Sequence, residues 1–251
     1  MGVNLVASLI VKNELGRYLE PCVEHLQTFC DDITAVDDGS TDGTYEYLQA
    51  AGCVVTQLPA SDGFFDGHEG RRRQFLLEWT VEQTRPEWLL AIDADEFISD
   101  GAVLRAFCSR PRQVANLNMK EVWKAGAELS VRVDGGWRPH PCPIMYRPPA
   151  RLTGRWRIAD RALACGREPQ IIRSMMGRSR PPGVDILHFG WANQAARKAR
   201  YDRYVTADAG RYHRNSHLDS IMWPDLDVTL EAEPWPVALE PWREAILRAA
   251  A

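Results

Sequence analysis

Val36-Asp37-Asp38-Gly39-Ser40-Thr41-Asp42-Gly43-Thr44 ends a short β-branched run, Ile33 to Val36, in an acidic, glycine-rich turn. Trp88-Leu89-Leu90-Ala91-Ile92 likewise runs straight into Asp93-Ala94-Asp95-Glu96. Short apolar runs stopped by acidic residues read as buried strands whose polar ends lie at one edge of a sheet. Working outward, Val3 to Val11 is another β-branched run, and Leu19, Val23, Leu26 and Phe29 follow at helical spacing. Thr41-Asp42-Gly43 precedes a helix reaching about Ala51, Cys53 to Leu58 reads as a strand, and Glu69 to Thr84 as a helix with an arginine-rich start. Strands alternating with helices predict an α/β fold, a parallel sheet covered on both faces.

Beyond Ser109 the pattern changes. Strand-like pieces at Val114 to Val122, Leu129 to Val133 and Pro143 to Arg147 are separated by Gly and Pro, which predicts a small antiparallel extension of a mostly parallel sheet. Gly177 to Gly183 reads as a loop, Asn193 to Ala209 as an amphipathic helix, and a last short helix starts at Pro241.

Composition excludes several classes. With 251 residues, 45% apolar and 25% charged, the chain has the make-up of an ordinary globular protein, not a disordered or fibrous one. Net charge is −4, yet residues 147–203 hold 13 Lys and Arg against 4 Asp and Glu. That block is a candidate for meeting phosphate or another polyanion, with surface charge the plainer reading. The six cysteines show neither CxxC pairs nor zinc-ligand spacing, so reduced thiols in a cytoplasmic protein are expected. The opening apolar run is too short for a membrane span.

In parallel α/β sheets ligands settle outside the carboxyl ends of the strands. Asp is also a common turn former, but two acidic strand ends on one alternating pattern favour a site. Residues i and i+2 of an extended stretch share a side, so Asp93 and Asp95 are expected to face one ligand complex. A divalent cation takes one or two carboxylates and completes its shell with water and substrate phosphates. As strand-end carboxylates they are expected to face solvent, so that Asp95→Ala spares the fold. No Gly-x-Gly-x-x-Gly turn or Walker loop is present, which argues against dinucleotide and P-loop enzymes.

These motifs, with Ser8-Leu9-Ile10-Val11-Lys12-Asn13-Glu14 before them, resemble the family-2 glycosyltransferases with the GT-A fold. The resemblance covers roughly residues 1–100. It implies a nucleotide-sugar-binding half over 1–109, an acceptor half of the same domain over 110–210 and a packed tail over 211–251. It implies donor contacts from Leu9, Val11, Asn13, Glu14, Asp37, Asp38, Asp93 and Ala94, with Arg72 the candidate among Arg71, Arg72 and Arg73, which cannot all share one helix face. It implies Mn2+ or Mg2+ at Asp95, and a metal or phosphate role for His188 in Asp185-Ile186-Leu187-His188-Phe189-Gly190, with a structural histidine as the alternative.

Transfer with inversion needs a base for the acceptor hydroxyl. Asp160, in Arg157-Ile158-Ala159-Asp160-Arg161, stands where relatives often show a His-Glu pair. Ala159 replaces that histidine, and a salt-bridged surface Asp160 stays open. Glu96 and Glu121 are reserve candidates. The reaction so implied moves a hexose, with glucose favoured, from a UDP-sugar to an unknown acceptor hydroxyl. The alternatives are an enzyme acting on modified DNA through the basic block, a nucleotidyltransferase, and a non-catalytic nucleotide- or glycan-binding module. A nucleotidyltransferase would need a basic glycine-rich loop where Lys12-Asn13-Glu14-Leu15 stands.

Overall fold

The computed structural model describes residues 4–60, 68–159, 166–174, 179–208 and 218–251. Asp160 and the first two residues of the Gly177 to Gly183 stretch lie outside the described residues. The first half follows the expected alternation: β1 (Leu5–Val11), α1 (Leu19–Gln27), β2 (Asp32–Asp37), α2 (Thr44–Ala50), β3 (Val54–Gln57), α3 (Glu69–Thr84) and β4 (Trp88–Ala91). The four strands run parallel in the order β3-β2-β1-β4. All seven residues of β1 are buried, as a central strand covered on both faces requires. Leu9 and Val11 enter one core layer with α1, while Ile10 faces the other with Val36 and Leu76.

Two elements before Ser109 had no clear sequence signal. β5 (Glu96–Ile98) follows β4 after one tight turn, and α4 (Gly101–Phe107) starts at Asp100, whose carboxylate accepts the Val103 N–H at 2.9 Å. The antiparallel extension consists of β8 (His140–Tyr146), β6 (Val114–Ala125), β7 (Leu129–Arg132) and β10 (Leu230–Glu233), in that order beyond β4. β9 (Asp185–His188) lies parallel to the second half of β6 and antiparallel to β5. The registers pair His188 with Glu121 on one side and with Glu96 on the other.

The remaining helices are α5 (Gln170–Ser174), α6 (Gln194–Asp208) and α7 (Arg243–Ala250). Trp235, Leu239 and Ile246 from the C-terminal stretch join the core around α1, so this part of the tail is packed on the sheet. A second cluster, Trp123, Trp137 and Trp191, holds the Arg132 guanidinium 4.5 Å from one ring and 4.8 Å from another. No helix among the described residues is long and apolar enough to cross a membrane.

Candidate active site

The Asp37-to-Thr44 loop is built by hydrogen bonds. Asp37, fully buried, accepts from the Ser40 N–H and the Gln57 amide at 2.9 and 2.8 Å, and from the Ser40 hydroxyl. Its carboxylate therefore shapes the turn and does not reach an open cavity, unlike the donor contact expected of it. Gly39 is needed twice over: its φ is +73°, and a Cβ there would sit 2.4 Å from the Ala60 Cα. Asn13, itself at φ +54°, ties this turn to the end of β1 by donating its N–H to the Ser40 hydroxyl and accepting the Thr41 N–H. Asp38 is clasped by Lys12 and by Arg72, each at 3.1 Å. Of the arginine triplet, Arg71 is exposed, Arg72 half-buried and Arg73 buried. Leu9 and Val11 put their side chains into the core, so only their main chain could touch a ligand.

Outside the carboxyl ends of β1 and β4 lies a cavity of about 470 Å3. Lys12, Glu14, Asp93, Ala94 and Asp95 line it from the parallel half, and Trp137, His140, His188, Trp191, Arg200 and Arg203 from the other. Its walls carry many opposed charges, as a site for a cation with an anionic ligand needs.

Asp93-Ala94-Asp95 is a tight turn, with the Glu96 N–H donating to the Asp93 carbonyl at 3.1 Å, and not the extended stretch assumed from spacing. The two carboxylates consequently meet different partners around one cavity. Asp93 takes Arg73 in a forked pair, at 3.0 and 3.3 Å, and Arg167 at 3.3 Å. Burial opposes its charge, but Arg167 and Arg73 outweigh that and hold the carboxyl below its usual range. Glu96, fully buried, is locked to Arg167 by two bonds of 2.5 Å and accepts the Asp93 N–H at 3.0 Å. That removes it from the reserve bases: a carboxylate held this way fixes the turn.

Asp95 is the more telling group. It is only 8% exposed, so it does not face solvent as expected, and its Oδ2 lies 3.4 Å from His188 Nε2 and 2.9 Å from Arg200 Nη2. His188 donates Nδ1–H to Glu121 at 2.5 Å. Burial raises the cost of charge on Asp95, yet His188 and Arg200 hold it well below the usual carboxylate range. His188, although burial disfavours its cation, is driven well above its ordinary value by Glu121 and Asp95. Glu121 is thus a positioning partner of His188, not the reserve base expected. Removing Asp95 would leave buried His188 and half-buried Arg200 facing each other without the carboxylate between them, so Asp95→Ala is not neutral for the fold.

The donor set fits a divalent cation. Two ligand atoms 3.4 Å apart suit neighbouring positions around one ion with bonds of about 2.1 Å. A ligating imidazole whose other nitrogen donates to a carboxylate is the usual second-layer arrangement of such sites. Gly190 lets the three groups approach one another closely: a Cβ there would come within 2.4 Å of Asp95 Oδ2, 2.6 Å of His188 Nε2 and 2.7 Å of Arg200 Nη1. Gly190 is not at positive φ, so the need for glycine is the cradle and not the backbone. With one carboxylate and one imidazole, the described residues hold no group of three ligands, and solvent or phosphate oxygens would complete the shell.

Glu14 sits on the facing wall. Burial pushes its carboxyl up to about 7, Asp95 and Asp93 adding to the rise against Arg17 and Arg200. Several arginines of the basic block are engaged internally: Arg147 with Glu87 and main-chain carbonyls, Arg167 with Glu96, Arg180 with Asp185, and Arg197 with the Trp123 and Trp191 carbonyls. Arg151, Arg155 and Arg157 are exposed. Sequence reasoning missed Arg73, Gly190 and Arg200 as individuals. The one available signal was Gly190, placed two residues after the candidate histidine.

Fold and site define an α/β protein with a charged cavity, lined by Asp93, Asp95, His188 and Arg200, at the carboxyl edge of its parallel strands. No family model matches the chain. Over 206 residues it is 28% identical to an uncharacterized protein of Mycobacterium bovis and to one of Mycobacterium tuberculosis, covering 77% of this chain and 48% of each relative. The chain thus spans about half the length of the curated relatives it matches. Among solved structures it is similar to S. aureus TarS, with TM-score 0.46 and 16% identity over 87% of this chain and 42% of that one. It is also similar to glucosyl-3-phosphoglycerate synthase from M. tuberculosis, in complex with Mn2+, UDP and glucosyl-3-phosphoglycerate, with TM-score 0.34 and 18% identity over 50% and 46%. For mannosyl-3-phosphoglycerate synthase from Rubrobacter xylanophilus the values are 0.34 and 19% over 49% and 41%. Likeness of fold leaves chemistry to be argued from the site.

Proposed function

We propose that the chain is a family-2 glycosyltransferase of the GT-A type, moving a hexose, glucose first, from a UDP-sugar to an acceptor hydroxyl with inversion. The cradle of Asp95 and His188 over Gly190, opening into the cavity that Asp93, Lys12 and Arg200 line, is the observation that carries the reading. It supports a site for a divalent cation beside an anion, which is what a departing nucleoside diphosphate requires.

Asp95 and His188 would hold Mn2+ or Mg2+, and the ion would offset the charge that builds on the diphosphate as the glycosidic bond breaks. The chain's own part is placement. Glu121 fixes the ring orientation of His188, Glu96 and Arg167 fix the turn that presents Asp93 and Asp95, and the hydrogen-bonded loop from Asp37 to Thr44 holds Asp38 with its Lys12 and Arg72 partners. Residues 1–109 would supply the donor side, and Trp137, His140 and Trp191 an acceptor wall. Asp160 is assigned the acceptor proton by resemblance to the family pattern. The free thiols of Cys22, Cys30, Cys53, Cys108 and Cys142 fit a cytoplasmic setting.

A panel of nucleotide sugars with and without Mn2+, scored by release of nucleoside diphosphate, tests the reading. Metal-dependent release of UDP from one UDP-hexose, lost in Asp95→Asn and His188→Ala, is expected. UDP binding without release in any acceptor screen would favour a binding module instead. Pyrophosphate release from a nucleoside triphosphate and a sugar phosphate would favour a nucleotidyltransferase.

A further inference from the structure

Arg200 lies where a cation is wanted. It reaches from α6, 105 residues beyond Asp95, and places Nη2 2.9 Å from Asp95 Oδ2 and Nη1 3.4 Å from His188 Nε2. All three groups pack directly against Gly190, where a Cβ would clash with each of them. The guanidinium is therefore seated on the same carboxylate oxygen that a divalent ion would use. Its carbon lies 4.6 Å over the Trp191 ring, which supports the plane of the fork from one side while the other end lines the cavity.

We propose that Arg200 is a built-in counter-cation that competes with the metal for Asp95 and, once displaced, turns to the donor's diphosphate. The inference rests on the cation reading given above. A carboxylate this buried cannot stay charged without partners, and in the metal-free protein Arg200 shares that role with His188, at the shorter distance of 2.9 Å against 3.4 Å. A metal entering the cradle must break that pair. A diphosphate arriving with the metal offers the freed fork a bidentate anion within the same cavity, recovering what the broken pair lost. Metal and nucleotide should consequently strengthen each other's binding, with Arg200 carrying part of the coupling. Its neighbours Arg17 and Arg203 also line the cavity.

Binding of Mn2+, followed by loss of the free-ion electron paramagnetic resonance signal, tests this without turnover. Wild type, Arg200→Gln and Arg200→Lys are titrated alone and with saturating UDP, with thermal melts in chelator as the folding control. In Arg200→Gln, Mn2+ alone should bind at least about tenfold more tightly than in wild type, the scale of a charge-assisted hydrogen bond no longer in competition. The tightening that UDP gives should shrink by a similar factor. Arg200→Lys, which keeps the charge, should stay near wild type for Mn2+ alone. Unchanged Mn2+ affinity in Arg200→Gln, or undiminished coupling to UDP, overturns the role of Arg200 while leaving the metal site standing. Absence of Mn2+ binding by wild type even with UDP overturns the cation reading itself.

Discussion

Gly190→Ala separates the proposed cation site from the fold. The added Cβ would lie 2.4 Å from Asp95 Oδ2, 2.6 Å from His188 Nε2 and 2.7 Å from Arg200 Nη1. Ordinary contact needs about 3.5 Å, so each group must retreat by roughly 1 Å. Metal ligands tolerate about 0.2 Å. The required shift is several times that, and two ligands cannot both make it and still share an ion. Mn2+ affinity should fall at least about 100-fold. The fold suffers less, because the crowded atoms are the ends of side chains and not backbone. Overpacking costs about 1–3 kcal/mol, and the stiffer unfolded chain returns about 0.4–1 kcal/mol. In chelator the melting temperature should drop by roughly 2–6 °C in a chain of this size. Calorimetric Mn2+ titration in the presence of UDP, with a melt in chelator, reads both quantities. Wild-type Mn2+ affinity in Gly190→Ala would refute the placement of the ion over Gly190.

Three further outcomes follow from the same geometry. Glu121→Gln keeps the shape but weakens the acceptor for His188 Nδ1–H, and Mn2+ affinity should fall about 10- to 100-fold, with the change read by titration against unchanged UDP binding in chelator. Glu14→Gln probes the carboxyl raised by burial to about 7. Because the folded value lies above the unfolded one, the wild-type contribution is fullest below pH 4.5 and is lost as pH rises through 7. The variant should gain about 1–2 kcal/mol over wild type at pH 8 and nothing at pH 4, and melting curves with no such divergence would contradict the burial argument. Asp37→Ala removes the acceptor of the Ser40 and Gln57 bonds. It should cost about 2–4 kcal/mol in urea unfolding, since three donors lose their partner; a change under 1 kcal/mol would mean the turn does not depend on it.

Much of the fold was legible in the residues. The alternation from β1 to β4 could be read because each element carries a local period, and α3 begins and ends at Glu69 and Thr84 as its pattern implied. The acidic strand ends likewise announced an edge where chemistry gathers. Local pattern failed where conformation depended on distant partners. Asp93 to Glu96 turns sharply with Asp93 and Glu96 tied to Arg73 and Arg167 and Asp95 to His188 and Arg200, and β5 exists because β9 is there to pair with it.

By itself the sequence determined an α/β sheet with acidic strand ends, since helix and strand periods, turn formers and caps act over a few neighbouring residues. Only the tertiary structure decided what those acids meet. Glu121 and His188 are 67 residues apart and Asp95 and Arg200 are 105 apart, yet the register of β9 against β5 and β6 and the placement of α6 bring all four together. Burial then gives them their character: out of water each charge needs a partner, and the partner is chosen by the packing of strands and helices that no short stretch of chain encodes.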